Sequence, residues 1–338
     1  MSHTTKRASA KDVAKLAGVS TATVSRALND HPAISQKTKQ VVRDACQALH
    51  YVPAISVRSL FGYKSNTIGA IIPDISNPYF ASVCAAIEHN AAAQGYQVLF
   101  INTFQDIDRE TAAVHRLLSQ QVDGILISAA SPQSPAILSP ILDGLPCVYI
   151  GGNHDSLCSY VEGDNEQGAY EATQYLFHLG HRKIYFIGGR YGTRTLELRL
   201  NGYRRSMLQS NLSPREIIPP DDIIDHNQWL LGEIQDIFRK GILPDAFLVY
   251  SDIDAIHILD IADQAGFHMP KDFSIVSFDD IPISQLSLFG LTSVTMHKSL
   301  LGEIAFNRLY EKIYGKNQQT IDILQPELII RSSCRKLG

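Results

Sequence analysis

A short stretch near the N-terminus carries side chains that can read the edges of DNA bases. Arg26 can donate two hydrogen bonds to O6 and N7 of a guanine, and Ala22 and the methyl group of Thr21 can lie against thymine methyl groups. Four short polar residues beside them suit phosphate oxygens, which position a protein on the duplex without reading its sequence. These four are Ser20, Thr23, Ser25 and Asn29. The chemistry predicted for this stretch is recognition of double-stranded DNA.

Three helical segments before residue 50 would hold these side chains in place. Apolar residues recur at helical spacing in each segment, and Ser9, Ser20 and Ser35 stand at the predicted helix starts. Gly18 and Val19 interrupt the pattern between the first two segments. Two short helices with a glycine turn, supported by a third, form a helix-turn-helix, whose second helix enters the major groove. The helix pattern alone also fits a generic three-helix bundle with capping serines.

Charge is unevenly distributed along the chain. Residues 1–60 contain nine Lys and Arg against three Asp, a net charge of +6, so the remainder carries −10 of the total of −4. A small basic region attached to a larger acidic one suggests that the basic region binds a polyanion.

The run KDVAKLAGVSTATVSRALN, followed by ISQKTKQVVRDACQALHYVP, closely resembles the DNA-binding domain of the lac/gal repressor (LacI/GalR) family. The resemblance implies a helix-turn-helix DNA-binding domain at residues 1–52, then a hinge helix and linker at 53–65. In that family the hinge helix folds on the operator and inserts a leucine into the minor groove, and Leu60 holds the matching position here. Ala54 and Val57 depart from the family pattern, and both weaken a short helix.

The remaining chain, residues 66–338, alternates apolar runs with amphipathic helical stretches. Near-continuous apolar strands between helices favour parallel sheets covered on both faces, and ligands bind such folds at the carboxyl ends of the strands. The runs lie at 67–73, 96–102, 124–128, 147–151, 183–188, 246–251 and 274–278, with a C-terminal strand at 327–331. Helical stretches include 80–94, 166–179, 227–239 and 252–265.

The resemblance to the lac/gal repressor family continues through this body, in segments such as PDISNPYF (73–80), ELRLNGYRRSM (197–207) and SFDDIP (277–282). It implies the α/β fold of periplasmic binding proteins, with two doubly wound parallel-sheet subdomains and a cleft between them. We place the first subdomain at about 66–164 and 295–322, and the second at about 165–294 and 323–338.

Carried over residue by residue, the resemblance also implies a set of effector-binding residues in the cleft. Tyr79 and Phe80 match positions where aromatic rings stack on a ligand. Arg199 matches the effector-binding arginine, and Asp279 matches the aspartate that accepts hydrogen bonds from ligand hydroxyl or amine groups. Each has a structural alternative: Tyr79 could simply pack, and Arg199 and Asp279 could pair across the two subdomains. Further polar liners are expected at Asn165, Gln167, Asn227 and Asp252.

Two departures from the family pattern concern the part of the cleft that selects among ligands. Ser251 stands where Asn commonly precedes Asp252, and Asn227 falls where an aromatic residue often lines the cleft. These differences prevent the effector of any one relative from being assigned to this chain.

The predicted function is a sequence-specific transcriptional repressor of a carbohydrate-utilisation operon, whose operator affinity is controlled by a small metabolite. A sugar or glycoside is the first expectation, because most family members sense one. The same family leaves two alternatives open, a purine-type corepressor and control by a partner protein. Outside regulation, the chain could be a binding protein or enzyme of sugar metabolism that carries a basic head.

Two subunits paired through the body would place two recognition helices on the half-sites of a near-palindromic operator. The chain ends soon after the predicted C-terminal strand and lacks the leucine-rich heptads that make some relatives tetramers. The sequence therefore predicts a homodimer.

Several other kinds of site are not expected. The chain has no GxxxxGK[ST], HExxH or GxSxG motif, so we predict neither catalysis nor a cofactor. Five scattered cysteines without a CxxC pair, and an HxxH pair (His178 and His181) that leads into a strand, do not predict a metal site. The N-terminus lacks a secretory leader, and no apolar run approaches the ~20 residues that span a bilayer. We expect a cytoplasmic protein that associates with the nucleoid through its operator and makes no membrane contact.

Overall fold

The computed structural model describes residues 8–28, 31–51, 64–131, 134, 144–152, 158–189, 192–220, 226–241, 243–316 and 318–337. The chain divides into two compact units, Met1–Asn66 and Thr67–Gly338, each with a hydrophobic core of its own.

The described residues of the first unit form three helices. They are α1 (Ala10–Ala17), α2 (Thr21–Leu28) and α3 (Gln36–Ala48). Val13 and Val42 are fully buried and Val24 is almost so, and together they form the centre of the core with one valine from each helix. The predicted helix-turn-helix with a third supporting helix is confirmed.

Local signals in the sequence set the starts and ends of these helices. The side-chain oxygen of Ser20 accepts the amide hydrogen of Thr23 at 3.1 Å, and that of Ser35 accepts the amide hydrogen of Thr38 at 3.2 Å. These bonds satisfy amide groups that the first turn of a helix leaves without partners. Gly18 ends α1 at a φ of +66°, a left-handed conformation that glycine adopts without steric cost.

Two six-stranded sheets form the second unit. In chain order, the first sheet contains β1 (Thr67–Ile72), β2 (Gln97–Asn102), β3 (Gly124–Ile127), β4 (Cys147–Ile150), β5 (Tyr160–Gly163) and β11 (Ile321–Leu324). The second contains β6 (Ile184–Ile187), β7 (Glu216–Ile217), β8 (Ala246–Val249), β9 (Ser274–Phe278), β10 (Thr292–Thr295) and β12 (Glu327–Ile329).

The spatial strand order is β11-β5-β4-β3-β1-β2 in the first sheet and β12-β10-β9-β8-β6-β7 in the second. Neighbouring strands run parallel, apart from the antiparallel pair of β10 and β12. The central strands are buried along their whole length, which explains their continuous apolar sequences. The predicted fold class, two doubly wound parallel sheets, is confirmed.

Helices cover these sheets. They are α4 (Pro78–Ala93), α5 (Ile107–Ser119), α6 (Asn165–His178), α7 (Arg194–Gln209), α8 (His226–Lys240), α9 (Asp252–Gln264) and α10 (Lys298–Ile313). Within the described ranges, every helix is too short or too polar to cross a membrane.

The chain passes between the two sheets after β5, after β10 and after β11. The last of these passages lies later than the predicted boundary between residues 322 and 323, which would cut β11. Asp322 accepts two hydrogen bonds of 2.8 Å from Arg308 of α10, and Leu324 packs into the core of the first sheet. These contacts keep the strand in the first subdomain through Leu324.

Gly202 of α7 generates a prediction about this packing. A Cβ atom built on Gly202 would lie 2.0 Å from the carbonyl oxygen of Glu166 in α6, whereas one built on Gly232 of α8 meets nothing within 4 Å. We expect Gly202→Ala to lower the free energy of unfolding by about 1–3 kcal/mol through overpacking. Gly232→Ala is the matched control and should raise it by up to ~1 kcal/mol, because alanine favours helix.

Urea unfolding followed by circular dichroism measures both variants. A Gly202→Ala protein as stable as the Gly232→Ala protein would contradict the close approach of α6 and α7.

Candidate functional site

The residues predicted to read DNA bases lie on an exposed face of α2. Val24 and Ala27 turn into the core of the first unit, whereas Thr21, Ala22 and Arg26 are exposed. These three side chains occupy the beginning of the helix and the position one turn later, so neighbouring bases can be reached together.

The residues predicted to contact phosphates differ in how exposed they are and in their hydrogen bonds. The hydroxyl groups of Ser20 and Thr23 lie 2.9 Å apart at the start of α2, where Ser20 also caps the helix. Ser25 is half-buried. Asn29 and Leu60, as well as Ala54 and Val57, lie outside the described residues.

Arg199 of α7 is the centre of a second cluster of functional side chains, in the second subdomain. Its Nε donates to Oδ1 of Asn165 at 2.9 Å, and its Nη1 donates to the carbonyl oxygen of Tyr250. Its Nη2 lies 3.5 Å from Oδ1 of Asp279. The guanidinium carbon lies 4.7 Å from the centroid of the Tyr250 ring and 4.1 Å from that of Phe278, so an aromatic ring and the cation interact in each case.

Arg199 and Asp279 do lie beside each other, as in the structural alternative to effector binding, but the two residues belong to the same subdomain rather than to different ones. Arg199 lies on α7 and Asp279 directly follows β9, and both elements pack in the second subdomain. At 3.5 Å the pair is longer than a hydrogen bond. Both groups therefore retain capacity to bond a ligand.

Asp279 is a buried carboxyl group with a perturbed acidity. The pKa of Asp279 is raised to about 6, mainly by burial and also by the carboxylates of Asp252 and Asp254, although Arg199 and Lys298 oppose the rise. At neutral pH the Asp279 carboxyl group is ionised in most molecules and can accept hydrogen bonds, whereas mild acid protonates it.

Tyr79 approaches this cluster from the first subdomain. It lies in the first turn of α4, where Oδ1 of the N-cap residue Asn77 accepts its amide hydrogen at 2.9 Å. Its ring packs edge-on against Phe80, with 5.2 Å between the centroids. Burial raises the pKa of Tyr79, and the charge of Asp279 raises it further, which indicates that the phenol and that carboxylate lie near each other. The Tyr79 phenol of the first subdomain is therefore within range of the charge of Asp279 in the second.

Gln167 does not join the Arg199 cluster, although the sequence predicts it as a cleft residue. Its side chain donates to Glu171 at 2.8 Å and accepts from Arg205 at 3.1 Å, both on the outer faces of α6 and α7. The side chain of Asn227 lies outside the described residues. Of the predicted amide liners, Asn165 alone is placed by the structure beside Arg199.

Asp252 is fully buried and its carboxylate already has protein partners. Its Oδ1 accepts hydrogen bonds from the hydroxyl groups of Ser277 and, at 2.8 Å, Ser293, and its Oδ2 accepts the amide hydrogen of Ile281 at 2.8 Å. Burial raises the pKa of Asp252, and these hydrogen bonds lower it. The side chain joins β9, β10 and the segment after β9, and so positions Asp279.

Tyr250 and Phe278 flank the guanidinium of Arg199, although neither is among the site residues predicted from the sequence. Tyr250 directly follows β8 and Phe278 ends β9, two neighbouring strands of the second sheet. Both lie at the carboxyl edge, so the rule that ligands bind there could have identified them. A Cβ atom on Gly189 would lie 2.8 Å from the Tyr250 ring, which explains a glycine at that position.

A metal centre finds no support in the described part of the chain. There, no group of three or more His, Cys, Asp or Glu side chains is arranged to hold an ion. His181 is fully buried, and Nδ1 of His178 lies 2.7 Å from the carbonyl oxygen of Gln174.

Comparison with known proteins gives two family matches. Residues 9–54 match the model for bacterial regulatory proteins of the lacI family, and residues 173–334 match the periplasmic binding protein-like domain. A protein named HTH-type transcriptional repressor PurR, from Pasteurella multocida (strain Pm70), is 31% identical over 338 residues, which cover 97% of this chain and 99% of the relative.

Solved structures agree with these matches. The lac repressor dimer bound to operator and the anti-inducer ONPF has a TM-score of 0.84 at 25% identity, covering 98% of this chain and 100% of that chain. A complex of the transcriptional regulator CelR with cellobiose has a TM-score of 0.70 at 25% identity, covering 97% of this chain and 100% of that chain. With both domains matched and a relative aligned along nearly its whole length, the chain belongs to the lacI family of bacterial regulatory proteins.

Proposed function

We propose that this protein is a transcriptional repressor that binds operator DNA through α2 as a homodimer and is controlled by a small molecule at the Arg199 cluster. This cluster comprises Arg199, Asp279, Asn165, Tyr250 and Tyr79. The observation that carries the proposal is the buried guanidinium of Arg199, which lies beside Asn165 and Asp279 at the carboxyl edge of the second sheet. A ligand held by both subdomains favours one relative orientation of them and thereby changes operator affinity.

The ligand class we favour is a purine base or nucleoside. A purine has a flat ring for the aromatic side chains, a ring N–H or amine for Asp279, and a carbonyl or ring nitrogen for Arg199. The name PurR, carried by the relative at 31% identity, supports this alternative over the sugar expected from the sequence. A sugar or glycoside is the second candidate, supported by the cellobiose in the CelR complex.

A thermal-shift screen of purine bases, nucleosides, sugars and glycosides tests the ligand site. A ligand at a hundred times its Kd adds about 2.7 kcal/mol to native-state stability. We expect the shift to disappear in Asp279→Ala and to persist in Gln167→Ala, because Gln167 bonds to Arg205 and Glu171 instead of the cluster. A sugar hit would replace the purine assignment, and the lack of any hit across the panel would contradict control by these small molecules.

The acidity of Asp279 predicts how ligand affinity depends on pH. A ligand that donates a hydrogen bond to this carboxylate requires its ionised form, and burial raises the pKa of Asp279 to about 6. Affinity should therefore be constant above pH ~7 and fall about tenfold by pH ~5, since one proton competes with the ligand. Isothermal titration calorimetry across this range measures the change.

Asp279→Asn is the control for that pH dependence. The asparagine cannot ionise, so its weaker binding should be nearly independent of pH. An unmodified protein whose affinity does not change between pH ~7 and pH ~5 would remove Asp279 from the ligand contact.

Arg26 gives the test of DNA recognition. On an operator selected from a random-sequence library, Arg26→Ala should cost about 1–3 kcal/mol of specific binding, because a bidentate contact to guanine is lost. Arg26→Lys keeps the charge without the planar fork, so it should still lose discrimination at that base pair. Fluorescence anisotropy with operator variants measures both, and specific binding unchanged by Arg26→Ala would exclude this role.

A further inference from the structure

Lys298, the first residue of α10, forms a bond between the two subdomains. Its ammonium group donates to the carbonyl oxygen of Asp279 at 2.8 Å and to that of Asp280 at 2.6 Å. A cation in the first turn of a helix is opposed by the helix dipole. A lysine at this position therefore does not stabilise α10. Its hydrogen bonds to two carbonyl oxygens explain why a lysine is present.

The helix that carries Lys298 is firmly attached to the first subdomain. Leu301 and Phe306 of α10 are fully buried in the core of the first sheet. Gly302 approaches α4 so closely that a Cβ atom on it would lie 2.7 Å from the carbonyl oxygen of Val83. The backbones of α10 and α4 are therefore closely packed at this point.

The Asp279–Asp280 segment is equally attached to the second subdomain. The amide of Asp279 donates to the carbonyl oxygen of Val294 at 2.9 Å, and that of Asp280 donates to Oγ of Ser293 at 3.0 Å. Arg331 donates to Oδ1 of Asp280 at 2.6 Å. Asp279 and Asp280 have φ values of +101° and +47°, a region that residues with side chains rarely adopt without such support.

Asp279 thus faces two partners at once. Its side chain lies beside Arg199, and its carbonyl oxygen accepts from Lys298. From Lys298 the connection runs along α10 to α4, whose first turn carries Tyr79. Lys298 therefore links Asp279 to the subdomain that carries Tyr79.

We propose that Lys298 is a positioning residue that couples ligand binding at Asp279 to the orientation of the first subdomain. The inference rests on the proposed ligand site, but it concerns how ligand binding changes the orientation of the first subdomain, not how the ligand is bound. Without the ammonium group, the ligand still binds between Asp279 and Tyr79, but its effect on operator affinity is lost.

Lys298→Met in the full chain tests the proposal, with hypoxanthine as the purine probe and cellobiose as the sugar probe. Lys183→Met is the matched control, because Lys183 also donates from Nζ to a carbonyl oxygen, that of Leu243 at 2.9 Å, but within the second subdomain. For the probe that binds, we expect its Kd without DNA to change less than about threefold in Lys298→Met. The ratio of operator affinities with and without the probe should fall to near one in Lys298→Met and stay unchanged in Lys183→Met.

An unchanged ratio in Lys298→Met would overturn the proposal, and so would loss of probe binding, which would make Lys298 a ligand contact. If neither probe affects operator binding by the unmodified protein, the proposed ligand class is wrong. Amide hydrogen exchange then tests whether Lys298 connects the two subdomains. In the ligand-free chain, exchange should then be faster at residues 279–281 and in the first turn of α10 for Lys298→Met alone. Equal exchange in both lysine variants would overturn the proposal.

Discussion

A buried guanidinium must find partners for its charge and its donors, and this requirement at Arg199 organises the second subdomain. Burying an unpaired cation costs far more free energy than a fold of this size can spare. The start of α6 supplies Asn165, the end of β8 supplies the Tyr250 carbonyl, and the end of β9 supplies Asp279. One side chain on α7 thereby fixes three other elements at the carboxyl edge of the second sheet. The rings of Tyr250 and Phe278 add a polarisable surface to the same cation.

The segment after β9 is the second part of this arrangement. Two consecutive aspartates in the left-handed region are unfavourable in isolation, so the surrounding structure must hold them. Asp252 does so from α9 by accepting the amide hydrogen of Ile281, and Lys298 does so from α10 through two carbonyl oxygens. The free energy stored in Asp279 and Asp280 thus depends on contacts from both subdomains. The conformation of this segment therefore depends on both subdomains being in place.

Much of the fold can be predicted from local signals in the sequence, whereas much less of the site can. The cap at Ser20 and the long apolar runs depend on residues that are close in the sequence, so the sequence alone predicts them. The strand Thr292–Thr295 is not predicted from the sequence, because its side chains are polar and a buried strand is expected to be apolar. Their burial is explained by hydrogen-bond partners that are distant in the sequence, such as Asp252 for Ser293. Family resemblance identified the Arg199–Asp279 pair, yet it could not tell that Gln167 turns outward, since that choice depends on Arg205 of another helix.

The order of strands in the two sheets has a consequence for synthesis on the ribosome. The edge strand β11 of the first sheet is made after β10, and the antiparallel edge strand β12 of the second sheet is made after β11. The first sheet is therefore incomplete until β11 has emerged and the second until β12 has emerged, whereas α1, α2 and α3 are made before the described strands. A nascent chain can fold its DNA-binding head while the edges of β5 and β10 are still unpaired. During that interval these edges are open to pairing with other chains, until β11 covers the edge of β5 and β12 covers that of β10.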